Sequence, residues 1–111
     1  MSTPTPYPFR TRPYLREKVW GGRRLVDLFS KGSDDDVPLG EAWEVSDLPE
    51  GKSFVTNGPL ADRSLAGAVD QWGTSLIGTA ADVGEGFPLL VKLLDAADDL
   101  SVQVHPSRKD V

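Results

Sequence analysis

The apolar positions of this chain fall into short runs, and the spacing inside each run predicts its element. Glu41 to Asp47 alternates, with Trp43 and Val45 on one face, which predicts a strand. Lys52 to Thr56 predicts a second strand, stopped by the turn signal Asn57-Gly58-Pro59. Ser64 then fits a helix N-cap, because its hydroxyl can accept an otherwise unpaired N–H of the first turn. Leu65, Ala68, Val69 and Trp72 follow at i, i+3, i+4 and i+7, so a helix to about Trp72 buries that stripe and Trp72 belongs to the core. Arg23 to Phe29 predicts a shorter helix after the break at Gly21-Gly22. The last quarter carries the strongest signal. Phe87 to Asp95 is almost continuously apolar and predicts a buried strand, Ala96 to Asp99 a turn, and Leu100 to His105 an alternating strand stopped by Pro106. Together they predict an antiparallel hairpin. Between these regions, Gly73 to Gly86 reads as loop with few ordered residues. Its Gly84-Glu85-Gly86 lacks the strand–turn–helix context of a phosphate-cradling loop.

Composition narrows the class. At 111 residues the chain has room for one domain. Four of its nine prolines fall by Pro13, so residues 1–13 read as an extended arm and residues 14–111 as the domain. There is no cysteine, which excludes thiolate metal sites, disulfide scaffolds and thiol catalysis. Lys and Arg number 12 against 17 Asp and Glu, a net charge of −5. Phosphate neutralisation supplies most nucleic-acid affinity, so an acidic balance argues against DNA or RNA as partner. The first ten residues lack the apolar core of a signal peptide, and no apolar run reaches the ~18 residues of a membrane span. No membrane partner is expected, and the compartment stays open at this point, although a chain without cysteine suits a reducing cytosol. Charge is uneven along the sequence: residues 10–24 carry six bases against Glu17, and residues 34–50 carry seven acids and no base. These clusters read as solvated surfaces that partly face each other, or, for the basic one, as a site for a phosphorylated ligand.

Two places could carry chemistry. On the final strand Ser101, Gln103 and His105 share one face. At ~3.3 Å per residue the Cα atoms of Gln103 and His105 lie about 6.6 Å apart, so an amide oxygen and an imidazole can converge on one ion. By itself the pair is weak evidence and reads first as a polar stripe on a half-exposed sheet. Lys92 interrupts Leu89-Leu90-Val91 and Leu93-Leu94. It is either an edge lysine whose stem lies along apolar surface, or a cation lining a polar cavity. With one histidine and no cysteine, no histidine-rich cage forms within a single chain, and no spacing of carboxylates singles out a general acid and base pair.

The string Phe87-Pro-Leu-Leu-Val-Lys-Leu-Leu-Asp-Ala96, followed by Asp99-Leu-Ser-Val-Gln-Val-His-Pro106, resembles type I phosphomannose isomerase, the zinc-dependent mannose-6-phosphate isomerase family, in its short bacterial form. Lys18-Val-Trp-Gly-Gly22, Gly40-Glu-Ala-Trp-Glu-Val-Ser46 and Asn57-Gly-Pro-Leu60 agree in the same order. The resemblance spans about Tyr14 to Pro106. It implies a mainly β chain with short helices, forming the opening part of a cupin-type, jelly-roll-like domain. It also implies one zinc ion and interconversion of mannose 6-phosphate and fructose 6-phosphate. By the same resemblance Gln103 and His105 match the first two metal ligands, and Lys92, Ser101, Trp20 and Glu41 match substrate-pocket positions. The proton-shuttling base is left unassigned.

The departures matter too. The family's remaining zinc ligands, a glutamate and a second histidine, and the arginine expected near the phosphate come after the His-Pro motif. Here Ser107-Arg-Lys-Asp-Val111 follows it instead. The expectation is therefore an opening portion of the enzyme, apparently truncated, that binds zinc weakly and is inactive alone. A non-catalytic cupin-like remnant or interaction module is the alternative. A cupin sheet cut partway also leaves an unpaired edge, which predicts low stability or self-association.

Overall fold

The computed structural model describes residues 4–32, 36–79 and 81–100. Its elements are mainly strands. β1 (Thr11–Arg12) and β2 (Tyr14–Gly22) lead into helix α1 (Arg24–Phe29), and β3 (Leu39–Val45) follows. Next come the short strands β4 (Asp47–Leu48), β5 (Gly51–Lys52) and β6 (Phe54–Val55), then helices α2 (Leu65–Trp72) and α3 (Thr74–Ile77). A 3-10 turn at Val83–Glu85 precedes β7 (Val91–Leu94). Among the described residues β2, β3 and β7 form an antiparallel sheet in the order β2-β3-β7, and two ribbons pair β1 with β6 and β4 with β5.

Register in the central sheet decides what faces what. Leu15, Ala42 and Leu93 lie opposite one another in one cross-strand row. Because strands alternate sides, this row points to α1, where Leu25 and Leu39 join Ala42 in a buried cluster packed by Leu15, Val26 and Leu93. The neighbouring rows, Tyr14–Trp43–Lys92 and Arg16–Glu41–Leu94, point to the other side. A second cluster of Val55, Leu60, Ala68 and Trp72 lies under α2, covered by Tyr7, Phe9 and Leu76. Residues 4–10 have no regular structure, and their aromatic side chains pack edge-on or tilted against Trp72.

The stripe predicted for α2 is the one buried, and Ser64 caps the helix with its Oγ accepting the Gly67 N–H at 3.1 Å. Ser64→Ala is expected to cost about 1 kcal/mol, read as a lower urea midpoint at unchanged slope. Helix α1 has no such local cap: Arg23 precedes it, and its side chain makes no cap hydrogen bond. The Asp95 carboxylate, 4% exposed, instead accepts the Arg24 N–H at 2.8 Å from 71 residues away, tying the end of β7 to the start of α1.

Several expectations need correction. The continuous buried strand over Phe87–Asp95 is only Val91–Leu94, and Leu89, Leu90, Val91 and Leu94 are exposed. Pro88 has no N–H to give a ladder, and among the described residues β7 pairs with β3 alone, so only its Leu93 meets the core. The strand over Lys52–Thr56 is split at Ser53, which turns inward. Its Oγ donates to the carbonyl region of Trp43 and Glu44, and its N–H to the Ser46 carbonyl at 2.9 Å. The loop over Gly73–Gly86 contains one helical turn and the 3-10 turn. The expected strand to His105, and the hairpin it would complete, lie outside the described residues apart from Leu100.

Candidate functional site

The site is built on the sheet face turned away from α1. Period-two alternation puts Glu41 and Trp43 side by side on β3, and register brings Lys92 of β7 opposite Trp43. The Lys92 ammonium lies 3.1 Å from Glu41 Oε1 and 5.1 Å from the centre of the Trp43 ring. Lys18, on β2, reaches Glu41 Oε2 at 3.6 Å, and the Trp43 indole N–H donates to Glu41 Oε1 at 3.1 Å. The guanidinium carbon of Arg16 sits 4.9 Å from the Trp43 ring centre, and Tyr14 meets the same ring edge-on at 5.8 Å. Of Lys92's two readings, its head is turned onto a carboxylate and an aromatic face, with a side chain still 36% exposed.

Trp20 joins this group through a backbone irregularity. Register jumps from Arg16↔Glu41 to Glu17↔Leu39, so Gly40 is passed over. A Cβ at Gly40 would lie 2.6 Å from the Lys18 stem and 2.8 Å from Cη2 of the Trp20 ring, so glycine is what lets both side chains cross β3 there. The Trp20 carbonyl accepts the Ala97 N–H at 2.8 Å, which fixes the Trp20–Gly22 corner against the chain leaving β7.

Glu41 is 8% exposed, and a carboxylate there is tolerable only when paired. Burial by itself would raise its pKa. The hydrogen bonds from Trp43 and Lys92, with the charges of Lys92 and Lys18, outweigh burial and hold the carboxyl below the ordinary glutamate value. A lowered carboxyl pKa contributes stability that is present above the ordinary value and is lost as pH falls through the lowered one. In a carbon-13 NMR titration Glu41 should ionise at lower pH than an ordinary glutamate, and Lys92→Met should raise that midpoint. An unmoved midpoint in the variant would remove Lys92 as a cause.

Of the six positions singled out from the sequence, Glu41 and Lys92 are in direct contact and Trp20 packs against the neighbouring Gly40, whereas Ser101, Gln103 and His105 lie outside the described residues. Trp43, Arg16 and Lys18 were missed as site residues. Trp43 reads in the sequence as the apolar face of a strand, yet its two-residue spacing from Glu41 already placed them on one side. Among the described residues no three His, Cys, Asp or Glu side chains come together to hold a metal ion, and Glu41 is committed to its cations.

Residues 9–111 match the phosphomannose isomerase type I catalytic domain. The chain belongs to that family. It is 45% identical over 101 residues to a probable mannose-6-phosphate isomerase of Bacillus subtilis (GmuF), covering 90% of this chain and 30% of the relative. With the mannose-6-phosphate isomerase of Streptococcus mutans the identity is 39%, covering 89% of this chain and 30% of that protein. The crystal structure of the Bacillus subtilis mannose 6-phosphate isomerase superposes with a TM-score of 0.69 at 36% identity, over 80% of this chain and 27% of that one. A mutant phosphomannose isomerase from Salmonella typhimurium superposes with a TM-score of 0.73 at 27% identity, over 91% of this chain and 26% of that one. The fold is thus mainly β with short helices and corresponds to part of a cupin-type phosphomannose isomerase domain. The chain spans about 30% of the length of the curated relatives it matches. No helix among the described residues is long and apolar enough to cross a membrane.

Proposed function

We propose that residues 14–111 form part of the catalytic domain of a cytoplasmic, zinc-dependent aldose–ketose isomerase that interconverts mannose 6-phosphate and fructose 6-phosphate. The observation that carries this reading is the cluster of Glu41, Lys92 and Lys18 on the sheet face turned away from α1, with Trp20 beside it against Gly40, in a chain of this family. Isomerisation removes a proton from C2 of the aldose and returns one to C1, while the hydroxyl proton moves from O2 to O1. Negative charge develops on those oxygens in the enediol. In this reading Lys92 holds them: its ammonium has three donors, and Glu41 can occupy one while the partly exposed side chain leaves others for the sugar. Glu41 fixes the lysine head and keeps it charged. Trp20 supplies an apolar wall beside the sugar, and Ser101 a hydroxyl contact.

Gln103 and His105 are the two ligands this chain would offer the metal, a carboxamide oxygen and an imidazole nitrogen, both suited to zinc. When bound, zinc supplies Lewis-acid polarisation of the sugar oxygens. Two protein ligands are fewer than the three or four of a stable zinc site, so a competition titration should find weak binding by this chain. Tight stoichiometric binding abolished by His105→Ala would show a complete site and overturn that expectation.

The activity is tested by mixing the chain with a polypeptide that carries the remaining part of a relative's sequence, with zinc present, in a coupled assay. Turnover of mannose 6-phosphate by the mixture, absent from either part, supports the proposal. A mixture that associates and stays inactive favours a non-catalytic cupin-like module.

A further inference from the structure

The pairing of β3 with β7 carries one extra residue. Trp43 faces Lys92, but the next pair is Val45 with Val91, so Glu44 has no partner residue on β7. On the other side, the β2 register puts Pro13 level with Glu44, and proline has no N–H to give. Two hydroxyls meet the Glu44 carbonyl instead. Thr11 Oγ1 donates to it at 2.6 Å, and Ser53 Oγ lies 3.2 Å from it and 3.1 Å from the Trp43 carbonyl, so one proton serves both. Both donors are held firmly. Ser53 is fully buried, gives its N–H to the Ser46 carbonyl at 2.9 Å and accepts the Leu65 N–H at 3.0 Å, while Thr11 is paired with buried Val55. The Glu44 carboxylate is drawn the opposite way, to Lys31 just beyond α1.

The extra residue decides which way Lys92 points. If the Val45–Val91 register ran on without it, Lys92 would fall opposite Glu44 and Leu93 opposite Trp43. Side chains alternate along a strand, so that slip of one residue would turn the lysine toward α1 and away from Glu41. We propose that Thr11 and Ser53 are positioning residues, whose hydroxyls hold the bulge at Glu44 and so aim Lys92 at Glu41 and Trp43. Leu93, seated in the α1 cluster, resists a complete slip, so losing a hydroxyl loosens the aim of Lys92 rather than reversing it. The link to turnover rests on the isomerase reading, whereas the aim of Lys92 does not.

The test follows the carbon-13 titration of Glu41, which reports whether the Lys92 ammonium is beside it, in the full chain and its variants. Thr11→Val keeps the branched shape and removes the hydroxyl, and it should raise the Glu41 midpoint toward that of Lys92→Met. Ser53→Ala should do the same, and Thr11→Ser, which keeps the hydroxyl, should restore the parent value. Ser64→Ala weakens α2 away from the bulge and should leave the midpoint where it is, which separates the aim of Lys92 from a general loss of stability. On the parent chain, backbone nuclear Overhauser contacts should join Trp43 to Lys92 and Val45 to Val91, a reading that depends on no variant. A parent without that register, a midpoint unmoved in both Thr11→Val and Ser53→Ala, or an equal shift in Thr11→Ser or Ser64→Ala would each overturn the proposal. In an isomerase whose corresponding segment is this chain, Thr11→Val should lower kcat by up to about 10²-fold with KM little changed, the scale of an ångström misplacement of a working group. A moved midpoint with unchanged turnover would keep the positioning role and sink the part given to Lys92 in the reaction. Reduced turnover with an unmoved midpoint would overturn the positioning role.

Discussion

Trp72→Ala is expected to lower the stability of this chain by about 3–5 kcal/mol, a large part of the ~5–15 kcal/mol that holds a typical domain together. The side chain is 7% exposed at the end of α2 and closes the cluster of Val55, Leu60 and Ala68. It also holds the N-terminal stretch, with Tyr7 edge-on at 5.4 Å, Phe9 tilted at 6.0 Å, and its indole N–H donated to the Pro4 carbonyl at 2.8 Å. Truncation opens a cavity bordered by two further aromatics and leaves residues 4–10 without their anchor. Urea unfolding should show a midpoint collapsing toward zero, and protease should cut earliest near residues 4–10. A midpoint within error of the parent would mean that this cluster does not organise the fold.

Lys92→Met should lower kcat by about 10²–10³-fold in an isomerase whose corresponding segment is this chain, the range for removing one positioned donor from a developing oxyanion. Methionine keeps the length of the stem, so packing over Trp43 changes little while the charge on Glu41 is lost. Among the described residues the variant also leaves Glu41 with Lys18 as its one ammonium within 4 Å, at 3.6 Å. Binding of mannose 6-phosphate should weaken less than turnover falls, because in the proposed role Lys92 faces the most charge at the enediol. A variant with unchanged kcat and KM would take the lysine out of the reaction.

The α2 stripe, its Ser64 cap and the alternation around Trp43 were legible because each is set by neighbours within a few residues. The Glu41–Lys92 pair was legible only in part. A lysine inside an apolar run announces an unmet charge, but its partner lies 51 positions upstream and is fixed by the β3–β7 register, which no local pattern states. Arg16 was hidden for the same reason: its approach to the Trp43 ring is a diagonal contact across β2 and β3. The cap of α1 could not be read locally at all, because Asp95 supplies it from the far end of the described chain. The run over Phe87–Asp95 misled in the opposite sense. Continuous apolar residues signal burial on both faces, and the part of the sheet described here covers only the face with Leu93.

The central claim is that this segment supplies working parts of a mannose-6-phosphate isomerase site. Its most direct measurement is the turnover of a graft in which residues 9–111 replace the matching stretch of the Bacillus subtilis isomerase. A folded, zinc-loaded graft that converts mannose 6-phosphate to fructose 6-phosphate, and stops doing so with Lys92→Met, is the predicted result. A folded, zinc-loaded graft with no turnover would contradict it.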